Sequence, residues 1–512
     1  MLLKRSVLYL SFTVLFLSLL ACGGAQNESE TSDDYQAELV SNEDSDFHDH
    51  EHFDEESAEI VDLSGIKKRG QIRVVVDNSS TSYFIYRGRR MGFEYELLHR
   101  MAEDFGLDLK IRVSDDMAGA FDLLETGRAD LLAFHLTVTL DRKERVDFSI
   151  PHTRIRQVLV QRKPQNWRKM KLHEIEQTMI RDVLDLGGKT IHVRKGSAFA
   201  ERLRNLSSEI GEEIDIVEVE AVSSEYLMEQ VLNGEISYTV ADEDLAKINV
   251  SYHPDLDVET AISFPQQIAW AIRKGSPELK TAVDEWLTEL KRSADFQTIY
   301  DRYYKYAKSQ RKRSQSEFSS SKGKNISPYD DIIKAESKRI GWDWRLLASQ
   351  IYQESRFDPK TVSWAGAEGL MQLTKATQEE NGLKNPFKPE PNIKAGVSHL
   401  LWLEDYWKDK ILDEEERMKF ILASYNTGHA HVADAMRLAE KYGANPSIWY
   451  GNVEKYLLLK SNPEYHQDPV VRYGYCKGIE PTKYVKEILE RFEEYKNFFD
   501  PDEVSATSIT SL

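Results

Sequence analysis

One carboxylate in the last third of the chain sits on an apolar helical stripe. Leu347, Ile351 and Glu354 are spaced i, i+4 and i+7 in WRLLASQIYQESRF, so they share one face of a helix that Asp343 is placed to cap. Burial disfavours the charged form of a carboxyl, so the pKa of Glu354 is expected to rise toward neutrality, where a general acid works best. A structural glutamate with a partner would show the same pattern, so the neighbours have to decide. They form an ordered set: ESRFDP at 354–359, SWAGAEGLMQ at 363–372, NIKAG at 392–396, ASYNTG at 423–428 and EPTKYV at 480–485.

Those five motifs, in that order, resemble the lytic transglycosylase domain related to goose-type lysozyme, from residue 326 to about 490. The resemblance implies a mainly α, lysozyme-like catalytic domain over 326–500. It also implies a single catalytic glutamate, Glu354, where hydrolytic glycosidases usually place two carboxylates. Glu354 would protonate the oxygen joining N-acetylmuramic acid to N-acetylglucosamine in peptidoglycan. It would then take the proton of the muramic C6 hydroxyl, which attacks its own C1 and closes a 1,6-anhydro ring. No metal and no organic cofactor is implied. Ser355 follows the acid and would help fix the local turn, a purely structural role being equally open. Ser363, Met371 and Gln372 are expected at the sugar acetamido groups, Met371 being equally readable as core. Tyr425 and Asn426 would flank the acid, with the tyrosine hydroxyl near its carboxylate, and Glu480 and Tyr484 would brace the groove. Ser424 and Pro481 depart from the family pattern. Two other readings stand beside this one: a goose-type lysozyme-like hydrolase, and a non-catalytic glycan-binding sensor lipoprotein.

The residues ahead of this domain have a different rhythm. Ile72–Val76 is a β-branched run that predicts a buried strand. Phe93, Leu97, Met101 and Phe105 recur every four residues and predict a helix ending at Gly106, followed by a strand over Leu107–Val113. A helix over Ala118–Thr126 leads into another apolar run. Strand and helix in alternation argue for an α/β sheet. The segments GFEYELLHRMAEDFG, LLETGRADLL, LTVTLDRKERVDFSIPH and LGGKTIHVRKGSAF resemble the periplasmic solute-binding proteins of family 3, across residues 66–306. That implies a two-lobed domain whose cleft holds an amino acid or a wall peptide. Arg142 would fork onto a ligand carboxylate and Asp242 would take its amino group, with Thr137 and Ser197 completing the pocket. Taken as a whole, the order of parts is similar to the membrane-bound lytic murein transglycosylase F family.

Composition bounds what else the chain can be. Its 512 residues carry 67 Lys+Arg against 86 Asp+Glu, a net charge of −19, which excludes a general nucleic-acid binder. The two cysteines exclude a disulfide framework. Residues 1–21 read as a lipoprotein signal peptide: Lys4 and Arg5 precede an apolar run from Val7 to Ala21, short of the roughly 20 residues a span needs. Its end, Leu19-Leu20-Ala21-Cys22, resembles a lipobox, which implies acylation of Cys22, and Gly23 after it implies the outer membrane. Residues 22–65 then form an acidic tether with 15 Asp+Glu and no Lys or Arg, including the HDHEH run around His50. Most of the acidity is therefore a property of the tether. Residues 307–325 read as a basic, polar, solvated linker, residues 501–512 as a tail, and Cys476 as an inert buried thiol.

Overall fold

The β-branched run after residue 70 forms a strand because both its faces are covered: in β1 (Gln71–Val76) Ile72, Val74, Val75 and Val76 are all buried. The computed structural model describes residues 61–499 apart from residues 115, 221 and 322. The signal segment, Cys22, the tether up to residue 60 and the tail from 501 lie outside the described residues. The tether's last residues belong to the fold: Asp62 caps the helix Leu63–Arg69 and also accepts from the backbone N–H groups of Glu278 and Leu279, both at 2.9 Å.

After β1 come β2 (Phe84–Tyr86), β3 (Arg89–Met91), β4 (Asp108–Val113), β5 (Leu131–Thr137), β6 (Val146–Phe148) and β7 (Thr153–Ile155). Then follow β8 (Gln157–Arg162), β9 (Thr190–Arg194), β10 (Asp215–Val219), β11 (Tyr238–Asp242), β12 (Leu256–Asp257) and β13 (Gln266–Arg273). One sheet has the order β4-β1-β5-β13-β6, with β7 also on β13; the second has the order β10-β9-β11-β8-β12. In each, the parallel strands are joined by crossover helices, and an antiparallel strand brings the chain back. These are the two lobes. The chain crosses between them after β7 and again before β13, and the crossings lie side by side: Ile262 N donates to Gln157 O and Gln157 N to Ser263 Oγ, both at 2.9 Å.

The C-terminal part is helical, with main helices Asp330–Ile340, Trp344–Ser355, Pro389–Trp407, Glu414–Thr427, His429–Lys441 and Ile479–Phe498. The helix carrying Glu354 starts where expected, with the Asp343 carboxylate accepting from Arg345 N at 2.9 Å. Its Leu346, Leu347, Ala348 and Ile351 are fully buried, and it packs on the last helix. Among the described residues no helix is long and apolar enough to cross a membrane.

The first lobe and the helical domain share one continuous apolar core. At their seam the β2–β3 turn is seated on the helical domain. Gly88 (φ +75°) lies so close that a Cβ there would stand 2.7 Å from Tyr352, Phe357 and Tyr495. The Tyr495 hydroxyl donates to Gly88 O at 2.9 Å, Lys110 meets Glu490 at 2.8 Å, and Arg90 pairs with Glu494. The stretch 307–325 is part of the same construction rather than a solvated linker. It opens with the helix Ala307–Ser314, and Gln310 is fully buried with Nε2 donating to Ser80 O at 2.5 Å. Arg87 N donates to Phe318 O and Ser320 N to Ile85 O, both at 2.8 Å, so its polar groups satisfy the free edge of β2.

Candidate functional site

Glu354 occupies the last turn of its helix, half-buried. Burial pushes its carboxyl up to about 7, against the partial opposition of the Tyr484 hydroxyl, which donates to Oε1 at 2.5 Å. Tyr484 comes from the helix Ile479–Phe498, 130 residues away in sequence. Its oxygen also accepts from Gln350 Nε2 at 3.3 Å. Gln350 lies one helical turn before Glu354, so Gln350, Tyr484 and Glu354 form a short relay that fixes where the carboxyl points. No second carboxylate among the described residues enters the electrostatics of Glu354. The arrangement offers a single proton donor, protonated near neutral pH, on a rigid element.

The other expected residues are placed unevenly. Tyr425 is near Glu354, whose charge adds to burial in raising the tyrosine's pKa, but its hydroxyl donates to Met371 O at 2.8 Å and not to the carboxylate. Met371 is a correction: its side chain is fully buried and packs on Gly396, where a Cβ would stand 2.2 Å from its sulfur. Glu480 is another. It is 63% exposed and paired with Lys477 at 3.0 Å, because it falls on the outer face of the first turn of its helix. Ser355 donates to Ile351 O at 3.2 Å within its own helix. Ser363 Oγ accepts from Ala367 N at 3.0 Å, which ties the loop to itself. Gln372 stands at φ +47°, and its amide donates to Gly369 O at 2.9 Å and Thr361 O at 3.1 Å. With both N–H groups used there, its carbonyl oxygen is left as the free acceptor side of the amide. Asn426 is exposed. Ser424 has a structural reason: it accepts from the buried Trp407 indole at 2.9 Å.

Sequence reasoning gave no role to Asn392 and did not join His399 to Trp402. Asn392 is fully buried and holds the Gln372 loop, accepting from Met371 N at 2.8 Å and donating to Pro386 O at 2.8 Å. A row of rings runs from Tyr425 to His399 (5.4 Å) and on to Trp402, which stacks on His399 at 5.8 Å with 7° between the planes. The i, i+3 spacing of His399 and Trp402 was the available signal. Among the tryptophans of this domain, Trp344, Trp407 and Trp449 are core, and Trp364 is fully exposed. Cys476 is buried, and burial pushes its thiol up.

The cleft between the lobes brings Thr137, Arg142, Ser197 and Asp242 to one cavity, as expected, together with Asp77, Arg194, His135, Asp244 and Glu225, which were not. Arg142 bridges the lobes: Nη1 donates to Thr137 O at 2.8 Å and Nη2 to Gly196 O at 3.0 Å. Burial lowers it to about 10 and raises Asp242 to about 7. Ser197 Oγ donates to Arg194 O at 2.6 Å. Arg194 stands 3.6 Å from Asp77, and Ser80 N donates to Glu225 at 3.0 Å, two more ties across the cleft.

A two-lobed α/β module followed by a helical domain whose half-buried Glu354 is oriented by Tyr484 fits a binding module fused to a transglycosylase domain. Residues 72–306 match the bacterial extracellular solute-binding proteins, family 3, and residues 331–448 the transglycosylase SLT domain. The chain is 35% identical to a membrane-bound lytic murein transglycosylase F of Desulfosudis oleivorans, over 84% of this chain and 91% of that one. It is 33% identical to a namesake from Pseudomonas fluorescens, over 84% and 86%. The chain belongs to the membrane-bound lytic murein transglycosylase F family. It is also similar to the crystal structure of an ancestral amino acid-binding protein, a precursor of cyclohexadienyl dehydratase, with 23% identity, 48% of this chain, 99% of that one and a TM-score of 0.40.

Proposed function

We propose that this chain cleaves the β-1,4 bond between N-acetylmuramic acid and N-acetylglucosamine in peptidoglycan, with Glu354 as acid and then base. The observation that carries the reading is the Glu354 carboxyl, held at about 7 by burial, oriented by Tyr484 and with no second carboxylate in its electrostatics. A lone carboxyl suits a reaction whose nucleophile belongs to the substrate. Glu354 gives its proton to the glycosidic oxygen as the C1–O bond breaks. The carboxylate left behind takes the C6 hydroxyl proton as that oxygen bonds to C1, which returns the acid and closes the 1,6-anhydro ring. The Tyr425–His399–Trp402 row supplies ring faces on which sugars stack. We further propose that acyl chains on Cys22 hold the enzyme at the outer membrane, and that the cleft around Arg142 and Asp242 senses an amino acid or wall peptide. The test is mass analysis of digested sacculi. Anhydro-muropeptides, one water lighter than hydrolysis products, are expected from the native chain and not from Glu354→Gln. Reducing-end muramic acid as the main product would establish a lysozyme-like hydrolase instead, and no soluble product a glycan-binding sensor.

A further inference from the structure

Beside the cleft, three side chains from distant parts of the first lobe converge on one point. Glu94 stands in the first turn of the helix Phe93–Phe105, His135 on β5, and His152 just before β7. Glu94 Oε1 lies 3.4 Å from His152 Nε2 and 3.6 Å from His135 Nδ1, and ligand atoms of all three fall within 4.8 Å of one another. The two short separations are ion-pair contacts, long for hydrogen bonds, and no hydrogen bond reaches any of these atoms. These two separations are close to the edge of a tetrahedron, about 3.3–3.4 Å, whose corners lie about 2.0–2.1 Å from a central zinc ion, and the pair of histidine nitrogens is wider set, within 4.8 Å.

The surroundings are those of a ligand set held in place. The other carboxylate oxygen of Glu94 accepts from the Trp270 indole at 2.6 Å. The far nitrogen of His135 faces Asp244 Oδ2 at 3.7 Å, the carboxylate-behind-histidine arrangement that orients metal ligands. His135 itself has φ +57°, rare inside a strand, and it sits where the register between β5 and β13 slips. Such a bulge re-aims a side chain at a conformational cost, which is tolerated where the side chain has a task. Asp77 Oδ1, Asp242 Oδ1 and Asp244 Oδ2 are buried nearby without hydrogen-bond partners, in a pocket that Arg142 and Arg194 also line.

We propose that Glu94 Oε1, His135 Nδ1 and His152 Nε2 bind one divalent transition-metal ion of the zinc type, with its fourth position turned to the cleft. Nitrogen and oxygen ligands without thiolate suit zinc. Of the three residues only His135 lines the cleft, so a water or a donor atom of the bound ligand completes the coordination from that side. The ion ties the start of a helix, a strand and a loop together and sets a positive charge among three aspartates.

The experiment uses the full chain with His48, His50 and His52 replaced by serine, so that the tether cannot contribute ligands. The protein is stripped with chelator and then titrated with zinc chloride alone. One equivalent is expected, with affinity falling at least about tenfold in Glu94→Gln and in His152→Asn. Cobalt(II) in the unmutated site should give the intense visible bands of a tetrahedral ion, a readout that needs no variant to fold. Sub-stoichiometric zinc, a six-coordinate cobalt spectrum, or folded variants that keep native affinity would each overturn the assignment.

Discussion

Replacing Glu354 by glutamine should make the protein more stable while removing its chemistry, and the gain should depend on pH. The folded carboxyl holds its proton up to about 7, whereas the unfolded one releases it near 4.5. Ionising it therefore costs the folded state more than the unfolded state. The cost is absent below pH 4.5, grows between pH 4.5 and 7, and is fully present above about 7. A shift of this size is worth about 3 kcal/mol, since each pKa unit is about 1.4. Glutamine has nearly the same shape, can still accept from Tyr484 and does not titrate. Its melting temperature should match the native one near pH 4.5 and exceed it at pH 8, by roughly 5–10 °C if the helical domain melts as a unit. Differential scanning calorimetry of both proteins across that range gives the answer, with sacculus digestion expected to fall by at least about 10²-fold. A stability difference that is flat with pH would refute the reasoning, because the carboxyl would then not be held protonated by its site.

The relay and the cleft give further expectations. Tyr484→Phe removes the hydrogen bond that lowers the Glu354 pKa, so the alkaline limb of the pH–rate profile should move upward while the rate at pH 6 falls; an unmoved limb would deny Tyr484 that role. Arg142→Ala should abolish any thermal shift that a free amino acid or muropeptide produces in the native protein, and equal shifts in both would take the ligand elsewhere. Gly88→Val puts a branched side chain where 2.7 Å is available to a Cβ and where the backbone is left-handed. It should lower stability by about 2 kcal/mol or more in a denaturant titration, and an unaffected midpoint would mean the seam is loose.

The helix bearing Glu354 was legible because its signals are local: an N-cap at Asp343, an apolar stripe, and a carboxylate on that stripe. The alternation of strand and helix from residue 70 onward was legible for the same reason. Tyr484 was picked out only as a groove brace, because its contact with Glu354 depends on how two helices pack and not on spacing. Met371 and Glu480 show the opposite error. Both sit in motifs that resemble sugar-binding ones, yet Met371 faces the core from the turn after Gly369, and Glu480 faces water through the phase of the last helix. The stretch 307–325 misled through composition, since serine, lysine and glutamine satisfy a strand edge as readily as they satisfy water. The Glu94–His135–His152 cluster has no sequence pattern at all, because its members come from three separate turns of the chain.

The shared core at the Gly88 seam bears on how the molecule is made. A chain that emerges N-terminus first completes the lobe carrying β2 and β3 well before residue 498 is available. The helical domain then finishes folding against a surface already in place, and Tyr352, Phe357 and Tyr495 find their last neighbours there. A protease nick near residue 323 would for the same reason yield two fragments that stay together in solution, and a helical domain produced alone from residue 326 would begin life with a sticky face.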